Sequence, residues 1–196
     1  MEGANTQIET KQLKAREVAK EIEKAVCKVL EKARWVGFIE SEEEKYKVEV
    51  WGKKEFITEL KKEEVEGVLD KQHFDVVYEI IEAVKKVLKK YNLEEGEHYE
   101  IEIVEPLVNK FGSYGEFIRE YVDVSFIENI EFDKEYETEH VYIYYHTVTE
   151  TWGVAINVLT EAYKKSFFNR GVLLTEEEIK ELGLNPNDFE AYFEED

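Results

Sequence analysis

The sequence predicts an α+β protein in which a mostly antiparallel sheet, built from β-hairpins, packs against long amphipathic helices. Two kinds of periodicity carry this prediction. In some stretches apolar residues recur every three or four positions, and in others they alternate with polar residues. The stretches follow the order helix, hairpin, helix, helix, strand, hairpin, helix. This order favours strands that pair with their sequence neighbours over the strand-helix alternation of a parallel sheet.

The first predicted element is a helix over residues 10–34, with Thr10 as its N-cap. Its main apolar face consists of Ala15, Val18, Ile22, Ala25, Val29 and Val36. Val26, Leu30 and Ala33 widen this stripe beyond the two positions per heptad of a coiled-coil seam. We therefore expect the helix to pack on a core, with a coiled coil as the alternative.

A hairpin, a further strand and two helices are predicted next. The strands cover residues 35–39, 46–51 and 55–58, and the helices cover residues 59–69 and 74–91. The acidic segment 41–44 is the predicted turn of the hairpin. The apolar face of the second helix consists of Phe74, Val77, Tyr78, Ile81, Val84 and Leu88. Asn92 and Gly96 are expected to interrupt the chain after this helix.

The middle of the chain predicts a strand and a long hairpin. Apolar and acidic residues alternate at 99–104, as in a half-buried strand, and segment 109–115 is typical of a loop. Two long strands at 119–132 and 136–148 follow, and their adjacency predicts a hairpin with a turn at 133–134.

The last part of the chain predicts two helices. The longer one covers residues 152–169, and Gly171 stands where a left-handed C-cap belongs. Thr175 and Glu178 have the spacing of a capping box, which predicts a short helix that ends at Gly183.

The domain organisation predicted from these elements is simple. Residues 1–184 form a single compact domain, with a division into two lobes near 92–97 as the alternative, and residues 185–196 form an acidic, aromatic tail. Cys27 is the single cysteine, so no disulfide can form within the chain. Its position in a helical pattern predicts a small buried apolar residue.

The amino-acid composition indicates the habitat of the source and limits the kind of partner. The chain has 40 Glu but only 6 Asp, 22 Lys but only 4 Arg, and a net charge of −20. Enrichment of Glu and Lys is typical of proteins from hot environments. The charge disfavours direct binding to nucleic acid, because phosphates would be repelled. No uncharged apolar run approaches the ~20 residues of a membrane span, so a cytoplasmic location is expected.

Polar groups are densest on the predicted hairpin of residues 119–148. A two-residue turn would make Asp123 and His146 diagonal neighbours. Because Asp and His are accepted ligands of divalent metals, these two are the candidate metal ligands. With Glu150 they are also the candidate catalytic residues. His140 lies too far along the same strand to share a metal with His146.

The same hairpin allows two other interpretations. Its tyrosines are common on half-buried sheets for packing reasons alone, and tyrosine clusters are also typical of protein interfaces. The candidate interaction residues on the hairpin and the tail are Tyr121, Tyr142, Tyr144, Phe189, Tyr192 and Phe193.

The absence of a complete catalytic motif in the sequence, together with these surfaces, favours a non-enzymatic interaction or assembly protein. It would act by oligomerisation or through a protein partner. A basic protein suits this role because the chain is strongly negative. One alternative is a metal-dependent hydrolase or nuclease-like enzyme that uses the polar face of the 119–148 hairpin. The other is an acidic decoy of a nucleic-acid-binding protein. Apart from the divalent metal of the enzyme hypothesis, no cofactor is predicted. A thermophile, or a virus or mobile element of one, is the expected source.

Overall fold

The structure, a computed structural model, describes residues 9–41, 45–50, 58–69, 72–104, 122–157 and 170–189. Within these ranges the helices are α1 (Ala15–Leu30), α2 (Lys62–Leu69), α3 (Gln72–Lys90) and α4 (Glu176–Glu181), and a 3-10 turn spans Pro186–Asp188. The strands are β1 (Lys11–Leu13), β2 (Ala33–Ser41), β3 (Lys45–Val50), β4 (Glu59–Lys61), β5 (Tyr99–Ile103), β6 (Val122–Phe126), β7 (Ile130–Phe132), β8 (Tyr136–Glu137), β9 (Val141–His146), β10 (Thr151–Ile156) and β11 (Arg170–Thr175). The predicted α+β class is confirmed.

The main core lies between a five-stranded antiparallel sheet and two helices. The strand order of this sheet is β5-β6-β10-β9-β8. Helices α1 and α3 lie side by side and bury their apolar residues against its inner face. The buried residues of α1 are Ala15, Val18, Ala19, Ile22, Val26, Cys27 and Leu30. They recur every three or four positions, so burying this one face stabilises the helix against the sheet.

The strands of this sheet show the alternation that the sequence predicts for β5. Tyr99 is buried while Glu100 and Glu102 are exposed, and Ile101 and Ile103 are partly buried. Tyr99 pairs with Phe126 of β6, and their rings lie 6.0 Å apart. Apolar cross-strand pairs of this kind hold the register, because a slip by one residue would turn the glutamates into the core.

A second core belongs to a four-stranded antiparallel sheet of order β11-β2-β3-β4. The predicted first hairpin is confirmed here, with Ser41 opposite Lys45. Residues 55–57 of the predicted third strand lie outside the described residues, and β4 begins at Glu59, where the sequence had predicted a helix. The buried residues of this core are Val36, Tyr46, Val48, Leu60, Val65, Leu174, Ile179, Leu184 and Phe189.

The start of α1 is set by a distant residue. Thr10 is not the N-cap, because β1 intervenes and Lys14 occupies the cap position, where its side chain makes no capping hydrogen bond. The Asp133 carboxylate instead accepts a hydrogen bond of 2.8 Å from the backbone N–H of Ala15. The pairing of β1 with β7 brings Asp133 there, and its negative charge suits the positive end of the helix.

The predicted hairpin of residues 119–148 is wrong. Residues 119–121 lie outside the described residues, and β6 and β9 do not pair. Strand β10 lies between them and pairs with both. The predicted turn at 133–134 does not join two paired strands. Asp133 instead caps α1 with its carboxylate, and its backbone N–H donates a hydrogen bond to the carbonyl oxygen of Leu13.

The predicted helix at 152–169 is also wrong where the structure describes it. Residues 152–156 belong to the central strand β10, and residues 158–169 lie outside the described residues. Gly171 lies in β11 rather than at a helix C-cap. The apolar pattern at 152–156 did not distinguish the two structures, because a short apolar run fits a strand buried on both faces as well as a helix.

Two other predictions about helices are confirmed. Helix α3 matches the predicted 74–91, although Tyr78 of its predicted apolar face is exposed. Thr175 and Glu178 form the predicted capping box of α4. Asn92, Gly96 and Gly183 all have positive φ angles at the interruptions that the sequence predicted. In the described part of the chain, no helix is both long and apolar enough to cross a membrane.

Candidate functional site

One face of the five-stranded sheet points away from the two helices, and we call it the tyrosine face. Its described residues alternate along each strand with the buried residues of the main core. They are Glu100, Glu102, Asp123, Ser125, Glu137, Tyr142, Tyr144, His146 and Thr151, with Gly153 and Ala155 beneath the tyrosines. Acidic and aromatic side chains therefore share a single surface.

Two tyrosines form the centre of this face. The rings of Tyr142 and Tyr144 are 5.6 Å apart and inclined by 27°, which is a stacked arrangement. The Tyr144 hydroxyl donates a hydrogen bond of 2.9 Å to the Asp123 carboxylate. Tyr142 keeps 37% of its surface exposed, so an approaching molecule can touch its ring.

Gly153 permits this arrangement. It lies opposite Tyr144 in the middle strand β10, with Ser125 of β6 on its other side. The Tyr144 ring crosses over Gly153 to reach Asp123, and a Cβ atom at this position would lie 2.6 Å from the ring. Asp123 and Tyr144 belong to strands β6 and β9, which do not pair with each other. The structure joins them across a third strand.

The structure separates the residues of the predicted metal site. Asp123 lies opposite Ala155, whereas His146 lies opposite Thr151, four positions away along β10. Four residues of a strand span about 13 Å, so Asp123 and His146 are not diagonal neighbours. Glu150 is exposed in the tight turn after β9, where its φ angle is 58°. The predicted diagonal pairing of Asp123 with His146 is therefore wrong. A catalytic role for Asp123, His146 and Glu150 stays an untested prediction.

The other candidate interaction residues are Tyr121, Phe189, Tyr192 and Phe193. Tyr121, Tyr192 and Phe193 are outside the described residues. Phe189 is 2% exposed and packs in the second core, so its ring is a core side chain rather than a docking side chain.

A largely buried polar cluster lies beneath the other face of the sheet, and we call it the Glu-Cys-His cluster. It consists of Glu23, Cys27 and His140, whose ligand atoms all lie within 4.8 Å of one another. Glu23 and Cys27 are one helical turn apart on α1, and His140 directly precedes β9. His140 is 1% exposed and Cys27 is 4% exposed. His140 is therefore buried beside α1 and does not share the exposed surface of Tyr142 and His146.

The Glu23 carboxylate organises this cluster. Its Oε1 atom accepts hydrogen bonds from the Thr138 hydroxyl at 2.6 Å and from the His140 backbone N–H at 2.7 Å. Its Oε2 atom accepts one from the Cys27 thiol at 3.1 Å and lies 3.6 Å from Nδ1 of His140. Each carboxylate oxygen therefore has a separate set of neighbours.

Burial and charge shift two pKa values in this cluster. Burial lowers the pKa of His140, although the Glu23 carboxylate opposes that shift, so the imidazole is neutral at pH 7. Burial by itself would raise the pKa of Glu23. The positive charge that the His140 ring carries when protonated, together with the hydrogen bonds from Thr138, from the His140 backbone and from Cys27, outweighs burial, and the pKa of Glu23 is lowered. The cluster therefore holds a carboxylate, a neutral imidazole and a thiol.

Few features of the sequence indicate the Glu-Cys-His cluster. Glu and Cys at positions i and i+4 share a helix face, but such pairs are common. His140 is 117 positions from Glu23 in the chain, and no local pattern connects them. Comparison with protein families, with curated proteins and with solved structures finds no match to this chain.

Proposed function

We propose that the protein is a non-enzymatic interaction protein, and that its tyrosine face binds a basic segment of a protein partner. The observation that carries the proposal is the stacked pair of Tyr142 and Tyr144 on a sheet face bordered by carboxylates. Tyrosine is enriched at interfaces because its ring buries apolar area while its hydroxyl keeps a hydrogen bond.

The charge of this face selects the partner. Glu100, Glu102 and Glu137 are exposed on it, and Asp123 is partly buried. Pairing the same face of two copies would bring like charges together, which costs free energy. An arginine side chain suits both elements of the surface, because guanidinium groups stack on aromatic rings and bind carboxylates. A basic partner is therefore favoured over self-association through this face.

The size of the face limits what binds there. The five strands have 5, 5, 2, 6 and 6 residues, 24 in total, and a spacing of about 4.8 Å with a rise of about 3.3 Å per residue gives them a surface of roughly 380 Å². A stable interface between two folded proteins buries about 800 Å² on each side. The tyrosine face by itself therefore fits a peptide segment better than a whole domain. The enrichment of Glu over Asp and of Lys over Arg supports a thermophilic source, and we propose this role for the cytoplasm of a thermophile, or for a virus or mobile element of one.

An arginine-rich peptide tests the proposal. Fluorescence anisotropy with a labelled peptide of alternating Arg and Gly would be recorded for the wild type, for Tyr142→Ala and for Tyr78→Ala. Tyr78 is an exposed tyrosine on α3, outside the tyrosine face, and is the matched control. Loss of an aromatic contact with Arg is expected to weaken binding by roughly 3- to 10-fold in Tyr142→Ala only.

Two charge-matched double variants distinguish an effect of the tyrosine face from an effect of the overall charge of −20. The variant Glu100→Gln/Glu102→Gln alters the tyrosine face, whereas Glu79→Gln/Glu82→Gln removes the same charge from α3. The first is expected to weaken binding more than the second at about 0.15 M salt, where distant charges are screened. Equal weakening by both double variants, with no effect of Tyr142→Ala, would refute the proposal.

A further inference from the structure

We propose that Glu23, Cys27 and His140 form a binding site for one divalent cation of the zinc class. The site would lie between α1 and the residue before β9, apart from the tyrosine face. It does not depend on the proposed function.

The donor atoms fit the geometry of such an ion. Glu23 Oε2 lies 3.1 Å from Cys27 Sγ and 3.6 Å from His140 Nδ1. Zinc bonds of about 2.3 Å to sulfur and about 2.0 Å to nitrogen and oxygen imply ligand separations of about 3.3–3.6 Å in a tetrahedron. Small side-chain movements would therefore place the three atoms around a single ion.

The outer hydrogen bonds already orient the carboxylate. Thr138 and the His140 backbone hold Oε1 of Glu23, which leaves Oε2 directed at the thiol and the imidazole. Metal-binding carboxylates and imidazoles are commonly oriented by such secondary contacts. Cys27 is fixed by the same helix as Glu23, so two of the three donors move together.

The charge balance selects a divalent, moderately soft ion. On binding, the Cys27 thiol loses its proton to solvent and the sulfur bonds to the metal, while His140 binds as the neutral imidazole. The carboxylate and the thiolate together neutralise the two positive charges of the ion. A neutral cluster avoids the cost of burying a net charge. Sulfur and nitrogen donors favour zinc over magnesium or calcium.

The position of the site implies a structural role. Cys27 and His140 are buried and Glu23 is partly buried, and together they join α1 to the connection between β8 and β9. A metal held there would fix that connection on the helix, and it would stabilise the folded state by mass action. A fourth ligand would be water, since no further His, Cys, Asp or Glu joins the group among the described residues.

The number of protons released on zinc binding distinguishes this site from binding at surface carboxylates. Zinc would be added to unbuffered wild-type protein, stripped of metal, at a pH near 7, and the released protons would be counted with a pH indicator. One proton per bound zinc ion is expected, because only the Cys27 thiol must be deprotonated. Surface carboxylates are already ionised and release none. Binding without proton release would overturn the proposal.

Cobalt provides the second measurement. Addition of Co²⁺ is expected to give a thiolate-to-metal absorption band that saturates at one equivalent in the wild type and in His146→Ala. That variant is the matched control, since His146 is an exposed histidine outside the cluster. The band should be absent in Cys27→Ser, and His140→Gln should need at least tenfold more metal. No band in the folded wild type, or equal metal affinity in all four proteins, would also overturn the proposal.

Discussion

Replacing Gly153 by alanine tests the packing of the tyrosine face from a position with no functional group. A Cβ atom there would lie 2.6 Å from both Cζ and Oη of Tyr144. This is closer than real Cβ contacts, so the aromatic ring has to move. It then loses its hydrogen bond of 2.9 Å to Asp123 and its stacking on Tyr142.

The expected cost combines opposing contributions to the free energy of unfolding. A hydrogen bond to a carboxylate contributes about 1.5 kcal/mol at the low end, which suits this half-exposed pair. The stacked rings add about 0.5 kcal/mol. Alanine favours a strand over glycine by about 0.5–1 kcal/mol. Gly153→Ala is therefore expected to destabilise the wild type by about 1 kcal/mol.

The sign of the effect is expected to reverse when the ring is absent. In a Tyr144→Ala background, Gly153→Ala should stabilise the protein by about 0.5–1 kcal/mol, because only the backbone contribution remains. Urea unfolding of the wild type, both single variants and the double variant gives a coupling energy, expected to be about 2 kcal/mol. Stabilisation by Gly153→Ala in both backgrounds would show that the Tyr144 ring does not cover Gly153.

Two further predictions concern pH and helix capping. The pKa of His140 is lowered below its usual 6.5 in the folded state, so the unfolded chain binds more protons in the window below 6.5. Stability that is complete above that pH should fall as the pH drops through the folded pKa of His140. In metal-free protein, unfolding free energies from about pH 8 to pH 5 should fall less in His140→Gln; parallel curves would contradict a buried neutral imidazole. The Glu23 contribution, from a pKa below its usual 4.5, is lost only under more acidic conditions. Thr175→Ala should lower stability by about 1 kcal/mol, since its hydroxyl caps α4, whereas Thr10→Ala should have almost no effect. Equal unfolding midpoints for these two variants in urea would contradict that assignment.

Much of the local structure follows from sequence periodicity. Helix α3, the capping box of α4 and the alternation in β5 depend on contacts within a few residues, so the local pattern is sufficient to predict them. The same holds for the turns at Asn92 and Gly96, where the backbone requires a positive φ angle. The first hairpin was predictable for the same reason, as β2 and β3 are adjacent in the chain.

Strand pairing was not predictable in this way. Residues 152–156 form an apolar run that fits a helix or a buried strand, and only the insertion of this segment between β6 and β9 decides the outcome. That insertion separates Asp123 from His146, so the two are not the diagonal neighbours that the sequence predicted. It also brings Gly153 under Tyr144, which allows the contact with Asp123 across a third strand.

The sequence by itself determined the α+β class, the acidic surface and most helix positions, because these depend on composition and short-range periodicity. The tertiary structure decided which polar groups meet. Asp133 caps α1 from far along the chain, and His140 reaches Glu23 and Cys27 only because β9 packs beside that helix. Such contacts join residues more than a hundred positions apart. Local propensity does not encode their pairing, which depends on the packing of the whole core.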